Sequence, residues 1–152
     1  MSAWQTPTAF RNSTNTVRHS LEGAWGQAEL GEAFDVTTLS VIGELDPTGA
    51  NGVVREVLAM FQHSLETALE SIEHDIRAPG GARRLRFAAH KLKSAAGQLG
   101  ALRLAAACGA VEKHLSAHPE RSPQLDVDLR RLVDVEMAEI IRVQRRLRAL
   151  LD

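Results

Sequence analysis

The sequence has little of what several classes of protein need. It contains one cysteine, no tyrosine and five prolines in 152 residues. A single cysteine excludes a disulfide framework within the chain and fits a reducing compartment. No run approaches the roughly 20 apolar residues that span a bilayer, and the N-terminus has no basic segment followed by a hydrophobic run. We therefore expect a soluble, cytoplasmic chain with no membrane segment.

An excess of charge of one sign is also missing. The formal net charge is −1, with both signs mixed along the chain. This balance argues against a nucleic-acid partner, and the basic run at 142–148 is typical of a solvated face near a helix end. The Gly-rich loop and the motif set that hold ATP in kinases are absent as well. The chain is therefore not expected to phosphorylate itself from ATP.

The composition favours helices, because alanine, leucine, arginine and glutamate are abundant and aromatics are scarce. Residues 1–33 have no sustained apolar period, which predicts a flexible or loosely docked N-terminal extension. Residues 34–152 are predicted to form one domain. A short helix is expected to start after Asp35 and to end before the turn signal at 46–49.

Four longer amphipathic helices are predicted at 51–77, 82–99, 101–117 and 122–151 from apolar residues recurring at three- and four-residue steps. Ser122 is taken as the N-cap of the last helix, with Pro123 at its first position. Four such helices with short connections hide their apolar stripes most simply in an all-α, antiparallel up-and-down four-helix bundle. The short helix would precede this bundle.

The helix at 82–99 has one apolar face and one polar face when its residues are placed at 100° intervals around Leu92. Within about 60° of Leu92 lie Leu85, Ala88, Ala89, Ala95, Ala96 and Leu99. Roughly 100° to 160° away lie Arg86, His90, Lys93, Ser94 and Gly97. The wheel therefore predicts an exposed His90.

An exposed imidazole is mostly neutral at cytoplasmic pH, so His90 could offer a ring nitrogen to a phosphoryl group. Lys93 lies one turn on, where its ammonium can offset the charge that phosphorylation adds. Lys91 and Arg86 would add a weaker positive field. A lone exposed histidine is usually only a solvated residue, but this combination favours a reactive one.

Small residues lie beside His90 on the predicted face. Ser94 and Gly97 would leave a shallow depression in which another protein could approach the imidazole. The Ser94 hydroxyl could bond a phosphoryl group or point to solvent. Phe87 projects outside the apolar face and is a plausible contact for a partner, or for the N-terminal extension.

These residues resemble the signature of histidine phosphotransfer (HPt) domains. The run reads His90-Lys91-Leu92-Lys93-Ser94, followed by Gly97 and Gly100. The family usually has glycine where this chain has Ser94. The resemblance covers about residues 35–118, and the last helix fits the family's bundle, whereas the first 33 residues lie outside it.

The resemblance implies a phosphorelay. His90 would take a phosphoryl group from the aspartate of a response regulator receiver domain and return it to another, with a hybrid sensor kinase as a further partner. The chain would bind no cofactor, and Mg²⁺ would belong to the receiver. It would be a phosphocarrier with phosphotransferase chemistry. A monomer is expected, because the inward stripes account for most of the large apolar residues. The alternative is a non-catalytic helical bundle that binds a receiver or kinase without carrying phosphate.

A third interpretation is a metal-binding bundle, because His114 and His118 have the four-residue spacing of paired ligands on a helix. No nearby cysteine or acidic residue completes a ligand set in the sequence. Imidazoles near a helix C-terminus are favoured by the helix dipole. We therefore predict no metal site. Cys108, on an apolar stripe, is predicted to be a core residue.

Overall fold

A computed structural model describes residues 33–151, and within that range the chain forms five helices and no strand. They are α1 (Val36–Gly43), α2 (Val53–Asp75), α3 (Gly81–Leu99), α4 (Leu102–Ala117) and α5 (Val127–Leu151). The all-α prediction is confirmed, and α2, α3 and α4 begin and end within two residues of their predicted limits. No helix in this part of the chain is long and apolar enough to cross a membrane.

The helices surround one hydrophobic core. α3 packs against α2 and α4, α5 packs against the same two helices, and α1 lies against α2 and α3. The apolar stripes predicted from the sequence face this core. Its fully buried members include Leu58, Leu65, Ala96, Leu104, Cys108, Val111, Val133, Ile140 and Leu147. The predicted extension, residues 1–33, lies outside the described residues except for Ala33, which is buried.

α1 closes one end of the core at the turn between α3 and α4. Asp35 caps the helix, since its Oδ2 accepts a hydrogen bond from the Thr38 amide at 3.1 Å. The Asp35 amide donates to the Gly100 carbonyl at 2.7 Å. Gly100 has φ of +83°, and a Cβ there would lie 2.8 Å from the Asp35 carbonyl oxygen. Only glycine fits this junction without strain.

The predicted start of the last helix is wrong. α5 begins at Val127, and Asp126 is its cap, because Oδ1 of Asp126 accepts from the Leu129 amide at 3.1 Å. Ser122 instead begins a turn in which its carbonyl accepts from the Leu125 amide. Serine and aspartate are both good N-caps, and the sequence pattern alone favoured the earlier one. In the structure the helix starts directly after Asp126, the later of the two.

Candidate functional site

His90 and Lys93 lie on the outer face of α3, as the helical wheel predicts. The His90 side chain is 58% exposed and that of Lys93 is 40% exposed. The opposite face is anchored in the core by Ala89, Leu92 and Ala96. The imidazole is therefore held on a rigid helix and remains accessible to another protein.

Glu112 of α4 joins these two side chains. Its Oε1 lies 2.8 Å from Nδ1 of His90, and its Oε2 lies 2.7 Å from Nζ of Lys93. The hydrogen bonds from Lys93 and His90 hold the pKa of the Glu112 carboxyl below its ordinary value. Glu112 is thus an ionised acceptor shared by both residues. Its own helix gives no sequence signal for this role.

The contact with Glu112 assigns the two ring nitrogens of His90 different roles. An ionised carboxylate can only accept hydrogen bonds, so Nδ1 carries the proton and donates to Oε1. In the neutral ring the lone pair then belongs to Nε2, which makes no hydrogen bond to any residue in 33–151. This arrangement leaves the lone pair of Nε2 accessible to a group that approaches from solvent.

The α3–α4 hairpin explains why these residues meet. His90 stands eleven positions before Ala101 in the turn, and Glu112 stands eleven positions after it. Lys93 and Gly109 are likewise each eight positions from Ala101, and a Cβ at Gly109 would lie 3.4 Å from Cδ of Lys93. Gly109 therefore leaves room for the Lys93 stem beneath its ammonium.

The other predicted surface residues lie on the same helix. Phe87 is 65% exposed, although it is a large apolar side chain. The Lys91 ammonium lies 5.6 Å from the centre of the Phe87 ring, within the range of a cation–π contact. Arg86 is exposed and forms no ion pair with a residue in 33–151.

Ser94 and Gly97 have small side chains, so the surface of α3 projects little beyond His90. The Ser94 hydroxyl donates to the His90 carbonyl at 3.2 Å, so in this structure it is engaged by the backbone one turn back. A Cβ at Gly97 would meet no atom within 4 Å. The structure therefore has open space beyond Gly97, on the side of the helix that carries His90.

His114 has a structural partner that the sequence did not reveal. Its Nε2 lies 2.8 Å from Oδ2 of Asp126, and its ring lies 4.8 Å from that of His118. Burial alone would raise the pKa of the Asp126 carboxyl, but the hydrogen bonds from His114 and the Leu129 amide lower it. Asp126 is therefore an acidic neighbour of His114 that the sequence pattern did not indicate. Within residues 33–151 no group of three ligand-type side chains is placed to hold a metal.

A model of a known protein family matches most of this chain. The model of the Hpt domain family matches residues 56–152, from the start of α2 to the end of the chain. Comparisons with curated proteins and with solved structures gave no match. The matched range includes His90, Lys93 and Glu112 and covers well over half of the chain. The chain therefore belongs to the Hpt domain family.

Proposed function

We propose that this chain relays a phosphoryl group between receiver-domain aspartates through a phosphohistidine at His90. Family membership gives it a phosphotransfer role in two-component signalling. The observation that carries the specific proposal is the exposed His90 ring, whose Nδ1 is held by Glu112 and whose Nε2 is free. Lys93 lies beside it, bound to the same carboxylate.

The proposed step is an in-line displacement at phosphorus. The Nε2 lone pair of His90 attacks the aspartyl phosphate, and the new N–P bond forms as the P–O bond to the aspartate breaks. The electron pair leaves with the aspartate carboxylate. Nδ1 keeps its proton, and Glu112 stabilises the positive charge that develops on the ring. Discharge to the next receiver is the reverse step, and Mg²⁺ is expected on the receiver.

Lys93 is proposed to stabilise the transferred group. In the resting site its ammonium lies 2.7 Å from Oε2 of Glu112. A phosphoryl group on His90 adds about −1.5 to −2 charges beside it, so Lys93 would be shared between two anions. The proposed docking surface for the receiver is the surrounding part of α3. It consists of Arg86, Phe87, Lys91, Ser94 and Gly97.

We also propose that residues 34–152 form an antiparallel up-and-down four-helix bundle preceded by α1. Two contacts support opposite directions for α2 and α5. Arg55, near the start of α2, donates to the carbonyl of Leu151 at 3.1 Å, and Gln124, before α5, donates to the carbonyl of Arg77 at 2.9 Å. We further propose that the chain is a cytoplasmic monomer that binds receiver domains and a hybrid sensor kinase.

The experiment that tests this function follows phosphate through the chain. The purified protein is mixed with receiver domains labelled with ³²P, and then with an excess of unlabelled receiver. We expect one acid-labile, base-stable phosphate per chain in the first step and its loss in the second. Stoichiometric binding of the receiver without label would favour the non-catalytic alternative instead.

A second prediction concerns Glu112 as a positioning residue. Glu112→Ala should slow phosphoryl uptake by roughly tenfold, because the ring is no longer held in one orientation and tautomer. The ¹⁵N spectrum of His90 should change from a ring protonated at Nδ1 to a mixture of tautomers. Glu70→Ala, at an exposed glutamate of α2, is the control. An unchanged ¹⁵N spectrum in Glu112→Ala would rule out the positioning role.

A further inference from the structure

The start of α3 carries an unusual distribution of charge. Its first two turns contain Arg83, Arg84 and Arg86 and no acidic residue. The helix dipole makes the N-terminus of a helix partially positive, so cations are unfavourable there. Arg84 is compensated, since its Nε lies 2.8 Å from Oδ1 of Asp75. Arg83 and Arg86 are exposed and form no ion pair with any residue in 33–151.

These two arginines share one open depression with the reactive histidine. Its wall includes Arg83, Arg86, Phe87, His90 and Glu112. Both carboxylates in its wall already have partners. Asp75 is bound to Arg84, and Glu112 is bound to Lys93 and His90. With three arginines and two carboxylates in its wall, the depression has a net positive charge.

The exposed face of α3 is asymmetric about His90. Towards the start of the helix it carries a 65% exposed phenylalanine and three exposed arginines, of which only Arg84 is paired. Towards the end, after Lys91 and Lys93, it carries Ser94, Gly97 and Gln98, which have no charge. A local arrangement that opposes the helix dipole and leaves an aromatic ring in water costs stability, which points to a functional reason for keeping it.

We propose that Arg83, Arg86 and Phe87 recognise an acidic surface with an adjoining apolar contact on the receiver domain, beside its phosphorylated aspartate. This inference rests on the proposed function. The two uncompensated cations attract the acidic surface during approach, and Phe87 packs against the partner once it is docked. The neutral end of the helix then allows close approach over Gly97. Charge complementarity at Arg83 and Arg86 thus selects which receivers exchange phosphate with His90.

The test uses the double variant Arg83→Glu/Arg86→Glu of the full chain. Glutamate in the first turns of a helix is favoured by the dipole, so the variant should be at least as stable as the wild type. Uptake from the ³²P-labelled receiver that the wild type uses fastest should fall about tenfold at low ionic strength, and the deficit should shrink in 0.5 M salt. A lower melting temperature of the variant, together with an uptake deficit that does not depend on salt, would overturn the proposal.

The matched control is Arg145→Glu/Arg148→Glu, which makes the same change in net charge on α5. Both of these arginines are exposed, and α5 shares with α3 the neighbours α2 and α4. This variant should transfer within about twofold of the wild type, since neither arginine lines the depression that holds His90. Equal losses in the two variants would show a net-charge effect and reject the specific surface.

Two further measurements separate this inference from the function it rests on. Phosphoramidate, a small donor that needs no docking surface, should label His90 in the wild type. Absence of label from both donors in the wild type would reject the relay itself. Replacing acidic surface residues of the receiver that do not bind Mg²⁺ with lysine should slow the wild type and restore transfer to the variant. Failure of this charge exchange would reject the acidic surface as the partner.

Discussion

His90→Gln should abolish phosphoryl uptake from a labelled receiver, with a loss of at least about 10³-fold, while the protein keeps its fold. Glutamine has no nitrogen lone pair that can attack phosphorus, because its amide nitrogen is delocalised into the carbonyl. The side chain at this position is 58% exposed, so little packing is lost. The glutamine amide can also still donate to Glu112, and glutamine suits a helix at least as well as histidine.

The control for this variant is His63→Gln. His63 is another exposed histidine on a helix, with a side chain 82% exposed and a carboxylate of Glu66 at 4.0 Å. It should take up phosphate at the wild-type rate. Melting temperatures of all three proteins should agree closely. Acid-labile label on His90→Gln would place the phosphate elsewhere and contradict the assignment of the nucleophile.

Glu136→Gln should stabilise the protein at pH 8 and do little at pH 4.5. Glu136 of α5 is 2% exposed, and its Oε2 is buried without a hydrogen-bond partner in the described chain. Its Oε1 accepts only from the thiol of Cys108, at 3.7 Å. Burial raises the pKa of Glu136 to about 7, and burial together with the nearby carboxylate raises that of Cys108. An ionised Glu136 is therefore poorly solvated.

The pH range follows from the direction of this shift. In the unfolded chain Glu136 ionises near 4.5, and in the folded protein near 7, so the folded state binds more protons between these values. Folding stability should fall as the pH rises from 4.5 to 7, and the loss should be complete above that. The upper limit of this loss is about 3 kcal/mol. Urea unfolding at several pH values measures it, as the difference between variant and wild type.

Glu139 provides a contrast on the same helix, one turn further on. It is also buried, but its carboxylate lies 2.7 Å from Arg103 and 3.0 Å from Arg142. Glu139→Gln should destabilise the protein at neutral pH, because it removes the partner of two cations. A Glu136→Gln effect that is constant from pH 4.5 to 8 would show that the carboxyl is not the titrating group.

Periodicity in the sequence was enough to predict the helices and the exposed face of α3. Side-chain direction in a helix depends only on position, so Leu92 and Ala96 inside imply His90 outside. The start of α5 was not predictable in this way, because Ser122 and Asp126 are both good N-cap residues and Pro123 favours the earlier one. What selects Asp126 is tertiary, since His114 of α4 holds the Asp126 carboxylate at 2.8 Å.

Glu112 could not be identified from its own helix. In α4 it is a half-buried polar residue next to the apolar stripe, a common position for a solvated side chain. Its role depends on how α4 is placed against α3, and that placement depends on the turn at Gly100. A hairpin centred on Ala101 brings positions 90 and 112 together, which is a signal the sequence contains once the turn is known. The sequence contains no such signal for buried polar residues such as Glu136, because helical periodicity predicts that polar residues lie on the surface.

The symmetry of the hairpin about Ala101 has a consequence for how its length can vary. A helix turns by about 100° for each residue, so one residue inserted between Lys93 and Ala101 would carry His90 and Lys93 away from Glu112. A deletion in the same stretch would do the same in the opposite direction. Loops elsewhere, such as the one between α4 and α5, carry no such constraint on these residues. Insertions and deletions between positions 90 and 112 should therefore be far more damaging to phosphotransfer than equal changes at 118–125.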